Sequence, residues 1–131
     1  MNATSEDIKD MLEAETGLDL VFGENLFISR EPSNPNNTVT IFDTIGRPDQ
    51  LTFNRSERYE YPSVQIRVRN TRSGDAWDII EKIKVALHGR AHETWNDTYY
   101  SVIHCISGPA LLDWDDNDRI RLIINFNVQR R

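Results

Sequence analysis

The sequence predicts an α+β fold, a mixed or antiparallel sheet with two helices packed on one face in an α-β-β-β-α-β-β type order, and three observations predict it. Two segments carry apolar residues at helical spacing, whereas several others carry them in alternation. The alternating segments are grouped between and after the two helical ones, which disfavours a doubly wound sheet. The 131 residues hold no repeat, low-complexity tract or interdomain linker, so residues 1–131 read as a single domain around one core.

Residues 4–16 read as the first helix: Thr4 or Ser5 caps it, Glu6 and Asp7 occupy its first turn, Ile8, Met11 and Leu12 recur along one side, and Gly17 stops it. Residues 18–30, with Leu26 and Ile28 in alternation, read as a strand ended by the Pro- and Asn-rich stretch 31–37. A second strand is expected over 38–44, a turn at Gly46-Arg47-Pro48-Asp49, a possible return strand from Gln50 to Phe53, and a polar, mobile connection over 54–60. Val64, Ile66 and Val68 alternate with Gln65, Arg67 and Arg69, the pattern of a half-buried strand, with Pro62 at its start.

Ser73-Gly74-Asp75 opens the second helix, whose Ala76, Ile79, Ile80, Ile83, Ala86 and Leu87 make a stripe wide enough to cover a sheet. That phase sets Ile80, Ile83 and Leu87 against Val64, Ile66, Leu122, Ile124 and Phe126, and turns Glu81, Lys82 and Lys84 to water. Gly89 closes the helix. Strands over 99–106 and 110–114 follow, divided at Ser107-Gly108-Pro109 by a turn or a bulge. The last strand is the plainest, since Ile120, Leu122, Ile124, Phe126 and Val128 alternate with polar residues.

Composition narrows the function. Hydrophobic residues at 38% and charged residues at 27% fit a water-soluble globular domain, and no apolar run is long enough to cross a membrane. The N-terminus lacks the pattern of a secretory signal, and a lone cysteine, Cys105, allows no intrachain disulfide; both suit a reducing cytoplasm. A net charge of −6 opposes broad docking onto phosphate backbones, while an acidic lumen would let DNA slide past.

Catalytic and metal motifs fare poorly. Asp113, Asp115 and Asn117 have the spacing of a calcium loop, yet the loop glycine falls on Asp118 and the bidentate glutamate on Ile124, so a tight turn is the plainer reading. His88, His92 and Glu93 suggest a small metal-dependent enzyme, but Gly89 interrupts the helix that must present both rings. His104 and Cys105 are strand neighbours pointing to opposite faces, so they share no proton and Cys105 reads as a small core residue. No catalytic residue, cofactor or metal site is assigned. Arg67, Arg69, Arg119 and Arg121 remain, on alternating strand positions; they line either a solvated sheet face or an oligomer interface with Asp113, Asp115 and Asp116 of a neighbouring copy.

The chain as a whole resembles the tail terminator proteins of long-tailed phages, including those catalogued as minor capsid proteins. The likeness rests on the N-terminal helix with Thr16-Gly17-Leu18, on Ile41-Phe42-Asp43-Thr44-Ile45-Gly46-Arg47-Pro48, on Pro62-Ser63-Val64-Gln65-Ile66-Arg67-Val68-Arg69, and on Gly108-Pro109 leading to the final strand. It implies a structural virion protein of the tail and neck, made in the host cytoplasm. Such a subunit forms a homo-oligomeric, hexameric ring that stops tube polymerisation. It joins the tail-tube protein to the head connector or adaptor and lets DNA pass through its lumen without specific binding. The resemblance implies no cofactor and no catalysis. Another neck or head-completion protein is the alternative within the same setting.

Overall fold

The computed structural model describes residues 1–51 and 58–131. Its elements run α1 (Thr4–Ala14), β1 (Leu26–Ile28), β2 (Thr38–Leu51), β3 (Arg58–Asn70), α2 (Ser73–Leu87), β4 (Ala91–Trp95), β5 (Thr98–Trp114) and β6 (Ile120–Arg130). The six strands form one mixed sheet in the order β1-β2-β3-β6-β5-β4, with β1 parallel to β2 and every other pair antiparallel.

The core lies between the two helices and one face of this sheet. Val64, Ile66 and Val68 of β3 pair with Phe126, Ile124 and Leu122 of β6, and all six are fully buried. Ala76, Ile80, Ile83 and Leu87 of α2 belong to the same core, as do Ile8, Met11 and Leu12 of α1. The expected phase of α2 is therefore the observed one, with Glu81 and Lys82 exposed and Lys84 half-exposed. Along β6 burial alternates residue by residue, since successive side chains leave opposite faces.

Several local expectations are corrected. Thr4 and Ser5 are buried inside α1 and not at its cap: Ala3 holds that position without a side-chain bond. Asp43 of β2 serves instead, accepting the Ser5 backbone N–H at 3.0 Å and its hydroxyl at 2.6 Å. A carboxylate there meets the positive end of the helix dipole, so a residue 38 positions away supplies the cap. The first strand is only three residues long, because turns occupy residues 23–25 before it.

The turn expected at residues 46–49 is continuous strand. Between Thr44 and Arg47, and again between Arg47 and Gln50, the register with β3 shifts, so the glycine and proline mark bulges. Gly46 is required there by close approach: a Cβ would stand 1.9 Å from the Tyr61 carbonyl oxygen. Pro62 sits opposite the same irregularity, well inside β3 and not at its start, where a missing N–H breaks no ladder bond. Arg58, Tyr59 and Glu60, read as loop, already belong to β3; the reading of Thr52 to Glu57 falls outside the described residues.

At residues 107–109 the alternative of a bulge is the one found, so 98–114 is one long strand and not two. Gly108, at φ +91°, lies where a Cβ would come within 2.7 Å of the Ile123 carbonyl oxygen. A strand missing from the sequence reading is β4. It forms a hairpin with β5 through Asn96 and Asp97, whose φ angles of +49° and +64° are those of a two-residue type I′ turn.

The packing of α2 on the sheet yields a first test. Replacing Ile83 by Ala should lower unfolding stability by about 2 to 5 kcal/mol, the range for removing a buried aliphatic side chain. Glu81→Ala should stay within about 0.5 kcal/mol. Urea unfolding followed by circular dichroism checks both, and equal effects at the two positions would overturn the assigned phase.

Candidate functional site

The face of the sheet turned away from the helices carries no helix or strand among the described residues, and the arginines singled out in the sequence lie on it. Pairing places Arg69 opposite Arg121 across β3 and β6, with Arg119 just beyond the end of β6. The structure brings these three together at one end of the face, beneath the 31–37 loop. Arg69 is 2% exposed; it donates to Glu31 Oε1 at 3.2 Å and to the carbonyls of Pro35 and Asn36 at 2.7 and 3.2 Å. Arg121 donates to the same Glu31 oxygen at 2.9 Å and to Asp113 at 3.3 Å. The side chain of Arg119 donates to Asp115 Oδ2 at 2.7 Å and to the Ser33 carbonyl at 2.6 Å.

A loop with two prolines and three asparagines cannot pack through apolar side chains. These guanidiniums tie its carbonyls to the strand ends. Buried charges are tolerable only when matched, and here both sides of the match come from the same chain. Asp115 also accepts the backbone N–H of Arg119 and of Asn117. Burial works against its ionisation, but those backbone bonds and the Arg119 guanidinium outweigh it and hold the carboxyl below its ordinary range. Asp116 is exposed, and Asp113 about half so.

Arg67 stands apart from the three. Its guanidinium lies 4.9 Å from the Phe42 ring centroid and reaches Gln65, in the middle of the open face. Around it the face is knitted by side chains crossing the strands: Gln65 donates to Asn125, Asn125 to Ser107, and Ser63 to Asn127.

A second buried network closes the opposite end of the sheet on the helix side. Asp7, fully buried in α1, accepts the Tyr100 hydroxyl and the Asn96 amide, the latter at 2.7 Å. Arg130 reaches Glu60 at 3.0 Å, the Asn2 carbonyl at 3.0 Å and the Tyr100 oxygen at 3.3 Å. Burial first, and the bond to Asp7 second, push the Tyr100 phenol well above its ordinary range, so it stays a donor. Neither network was legible as such, because Asp7 and Tyr100 are 93 positions apart.

The residues weighed for catalysis are dispersed. His88 accepts the Cys105 backbone N–H at 2.9 Å, His92 meets the Tyr99 hydroxyl at 2.6 Å, and Glu93 is engaged by Arg90 and Trp95. Among the described residues no group of three or more His, Cys, Asp or Glu side chains is arranged to hold a metal ion. A groove of about 440 Å³ between the exit of α1 and α2 is lined by Leu18, Val85 and Ala86 with Glu15, Thr16, Glu81 and Lys82, and holds neither a histidine nor the cysteine.

Two surface features point to contact with other molecules. Beyond the end of β6, β2 and β3 run on as a short two-stranded arm in which Gln50 and Leu51 pair with Tyr59 and Arg58, and nearer the sheet Ile45, between the Thr44–Ser63 and Arg47–Tyr61 pairs, is 98% exposed. On the far side of the sheet Trp77, Leu111, Leu112 and Trp114 are exposed, and beyond Ile103 the outer side of β5 has no strand neighbour among the described residues. Exposed aromatic and aliphatic groups in one place mark interaction surfaces.

Comparison with known proteins gives three results. A family model described as "Bacteriophage tail terminator protein" matches residues 7–131. No curated protein sequence matches the chain. Among solved structures, a chain of the "Virion of native gene transfer agent (GTA) particle" aligns with a TM-score of 0.71 over 98% of this chain and 94% of that one. Its identity is 14%, so the likeness is one of fold.

The Asp115 and Arg119 pair yields a pH test. Because the Asp115 pKa is depressed in the folded chain, its stabilisation is present in full above the unfolded value near 3.9. It is lost as pH falls through the lower folded value. Asp115→Asn should therefore be less stable than wild type at pH 7, with the gap narrowing as pH drops below about 4. Thermal unfolding at a series of pH values checks this, and a gap constant from pH 7 to 3 would overturn it.

Proposed function

The chain belongs to the bacteriophage tail terminator family, structural proteins of the phage tail, and from that premise we propose that it works as a non-enzymatic ring subunit at the head-proximal end of the tail. In this reading residues 1–131 act as one domain, six copies close a ring on the last turn of the tail tube, and the ring halts polymerisation. The opposite side of the ring meets the head connector or adaptor, and DNA passes through the lumen unbound.

The observation that carries the reading is the extent of the family match, which takes in all six strands, α2 and most of α1. The architecture supports it. A rigid sheet with its helices on one side leaves the other face, both edges and a projecting arm available for neighbours. Charge is divided in a way that suits passage of DNA. Residues 1–25 hold seven acidic side chains and one lysine, so the whole net charge of −6 lies in α1 and its exit loop. That segment, turned to the lumen, would repel a phosphate backbone and keep it moving. Of the residues expected at an interface, Asp113 and Asp116 keep the exposure to meet a second copy, and Arg67 and Arg121 do so in part. Arg69, Arg119 and Asp115 would act indirectly, by holding the loop and turn that flank the contact.

Light scattering of the purified protein, alone and with tail tubes, should show a species near six subunits, and negative-stain images should show rings with a central hole. A stable dimer that never forms rings would count against the reading. Supplied to a terminator-defective phage, the protein should restore tails of uniform length. Uniform but headless tails in its absence would instead assign it to another part of the neck.

A further inference from the structure

We propose that the recess between Arg47, Tyr61, His104 and Gln129, on the open face of the sheet, is a binding site for an Asp or Glu side chain presented by a partner protein. The inference goes beyond the ring reading and does not depend on it.

Four strands build the recess. Arg47 of β2 pairs with Tyr61 of β3, while Asn127 and Gln129 of β6 pair with His104 and Val102 of β5. These side chains line a hollow of about 270 Å³. Pockets that take whole small molecules hold about 300 to 1,000 Å³, so the fitting occupant is one or two side chains. The register shifts on both sides of Arg47, and again between Tyr100 and Val102. Bulges re-aim side chains, and here Arg47 lies across the Tyr61 ring, with its guanidinium carbon 4.4 Å from the centroid. The Tyr61 hydroxyl donates to Gln50 at 2.6 Å, so the ring that carries Arg47 is itself tethered.

The chemistry of the lining selects the occupant. Stacking on an aromatic face leaves the edge of a guanidinium open, and that edge is the fork that grips a carboxylate through two parallel bonds. Carboxylates of the neighbouring strand positions are engaged elsewhere: Asp43 accepts from Ser5, Asp49 is bridged by Arg58 at 3.9 Å, and Glu60 takes Arg130 on the helix side. Asn127 accepts the Ser63 hydroxyl on its side-chain oxygen at 2.5 Å, so the part of its amide left to offer is the donor. Gln129 adds a second amide and the exposed His104 an imidazole N–H. The lining thus combines one permanent cation with N–H donors and contains no acidic side chain. A single carboxylate answers that set, with Val102 and the Tyr61 ring against its methylene stem. A nucleic-acid backbone fits poorly, since holding it takes several cations in succession and the net charge of −6 opposes its approach.

The test titrates the full chain, labelled with heavy nitrogen, with an end-capped tetraglutamate peptide while its amide spectrum is recorded. Saturable shifts should be confined to residues near 47, 61, 102–104 and 127–129, and the tetraglutamine counterpart should cause none. Arg47→Gln should weaken binding at least about tenfold, the loss of a charge-assisted pair of bonds. Arg47→Lys, which keeps the charge without the fork, should show a smaller loss. Lys82→Gln, on the exposed side of α2, should bind as wild type, and each variant should keep the wild-type circular dichroism spectrum. Absence of saturable shifts, equal binding of tetraglutamine, or full affinity in Arg47→Gln would overturn the site. Inorganic phosphate that displaces the peptide at equal concentration would reduce it to a general anion site, and duplex DNA that does so would give the face to nucleic acid; either result overturns the proposal. Because the titration needs no assembly, failure to form rings would count against the ring reading alone.

Discussion

Two helices cannot cover both faces of a six-stranded sheet, and the rest of this structure depends on that limit. The stripe of α2 and the shorter one of α1 bury the helix-side face of β3 and β6 completely, which supplies the hydrophobic driving force for the fold. What remains is a second face, dried at one end only by the 31–37 loop, and two edges with no outer neighbour among the described residues. Each must be made compatible with water or with another protein.

The chain handles its open face with polar side chains that satisfy one another. Gln65, Asn125 and Ser107 bond across three strands, and Arg67 lies over Phe42, so the face has order without being apolar. At one end a loop too polar to pack by itself is held down by Arg69, Arg119 and Arg121. At the other, Asp7, Tyr100 and Arg130 fasten α1 to the last two strands. Breaking one partner of such a buried pair leaves an unmatched charge, at a cost of about 3 to 5 kcal/mol. These networks therefore act as fixed points from which the arm, the edge strand and the 113–118 turn project in a set geometry.

Bulges have a related effect. Gly46 and Pro48 in β2, and Gly108 and Pro109 in β5, fall on strands whose outer sides lack a neighbour along those stretches. An irregular ladder discourages indiscriminate pairing with other strands and leaves recognition to side chains.

The amino-acid sequence by itself determined the fold class, the phase of α2 and the faces of β3 and β6, because these follow from local periodicity and each side chain's own preference for water. It also carried the resemblance on which the family rests. The bulges were misread as a turn at 46–49 because glycine and proline break regular pairing in either setting; only the partner strand distinguishes the two. For β4 the cue was present in Asn96-Asp97, a pair able to take positive φ, but a five-residue strand has too few alternations to stand out. What tertiary structure alone decided is who pairs with whom. Arg69, Arg119 and Arg121, expected on a solvated face or at an interface with a second copy, bind the 31–37 loop of their own chain, and Asp43 caps a helix far away in sequence. Long-range electrostatic matches leave no periodic trace in a chain, since any arginine can meet any carboxylate that the packing of the core brings within about 4 Å.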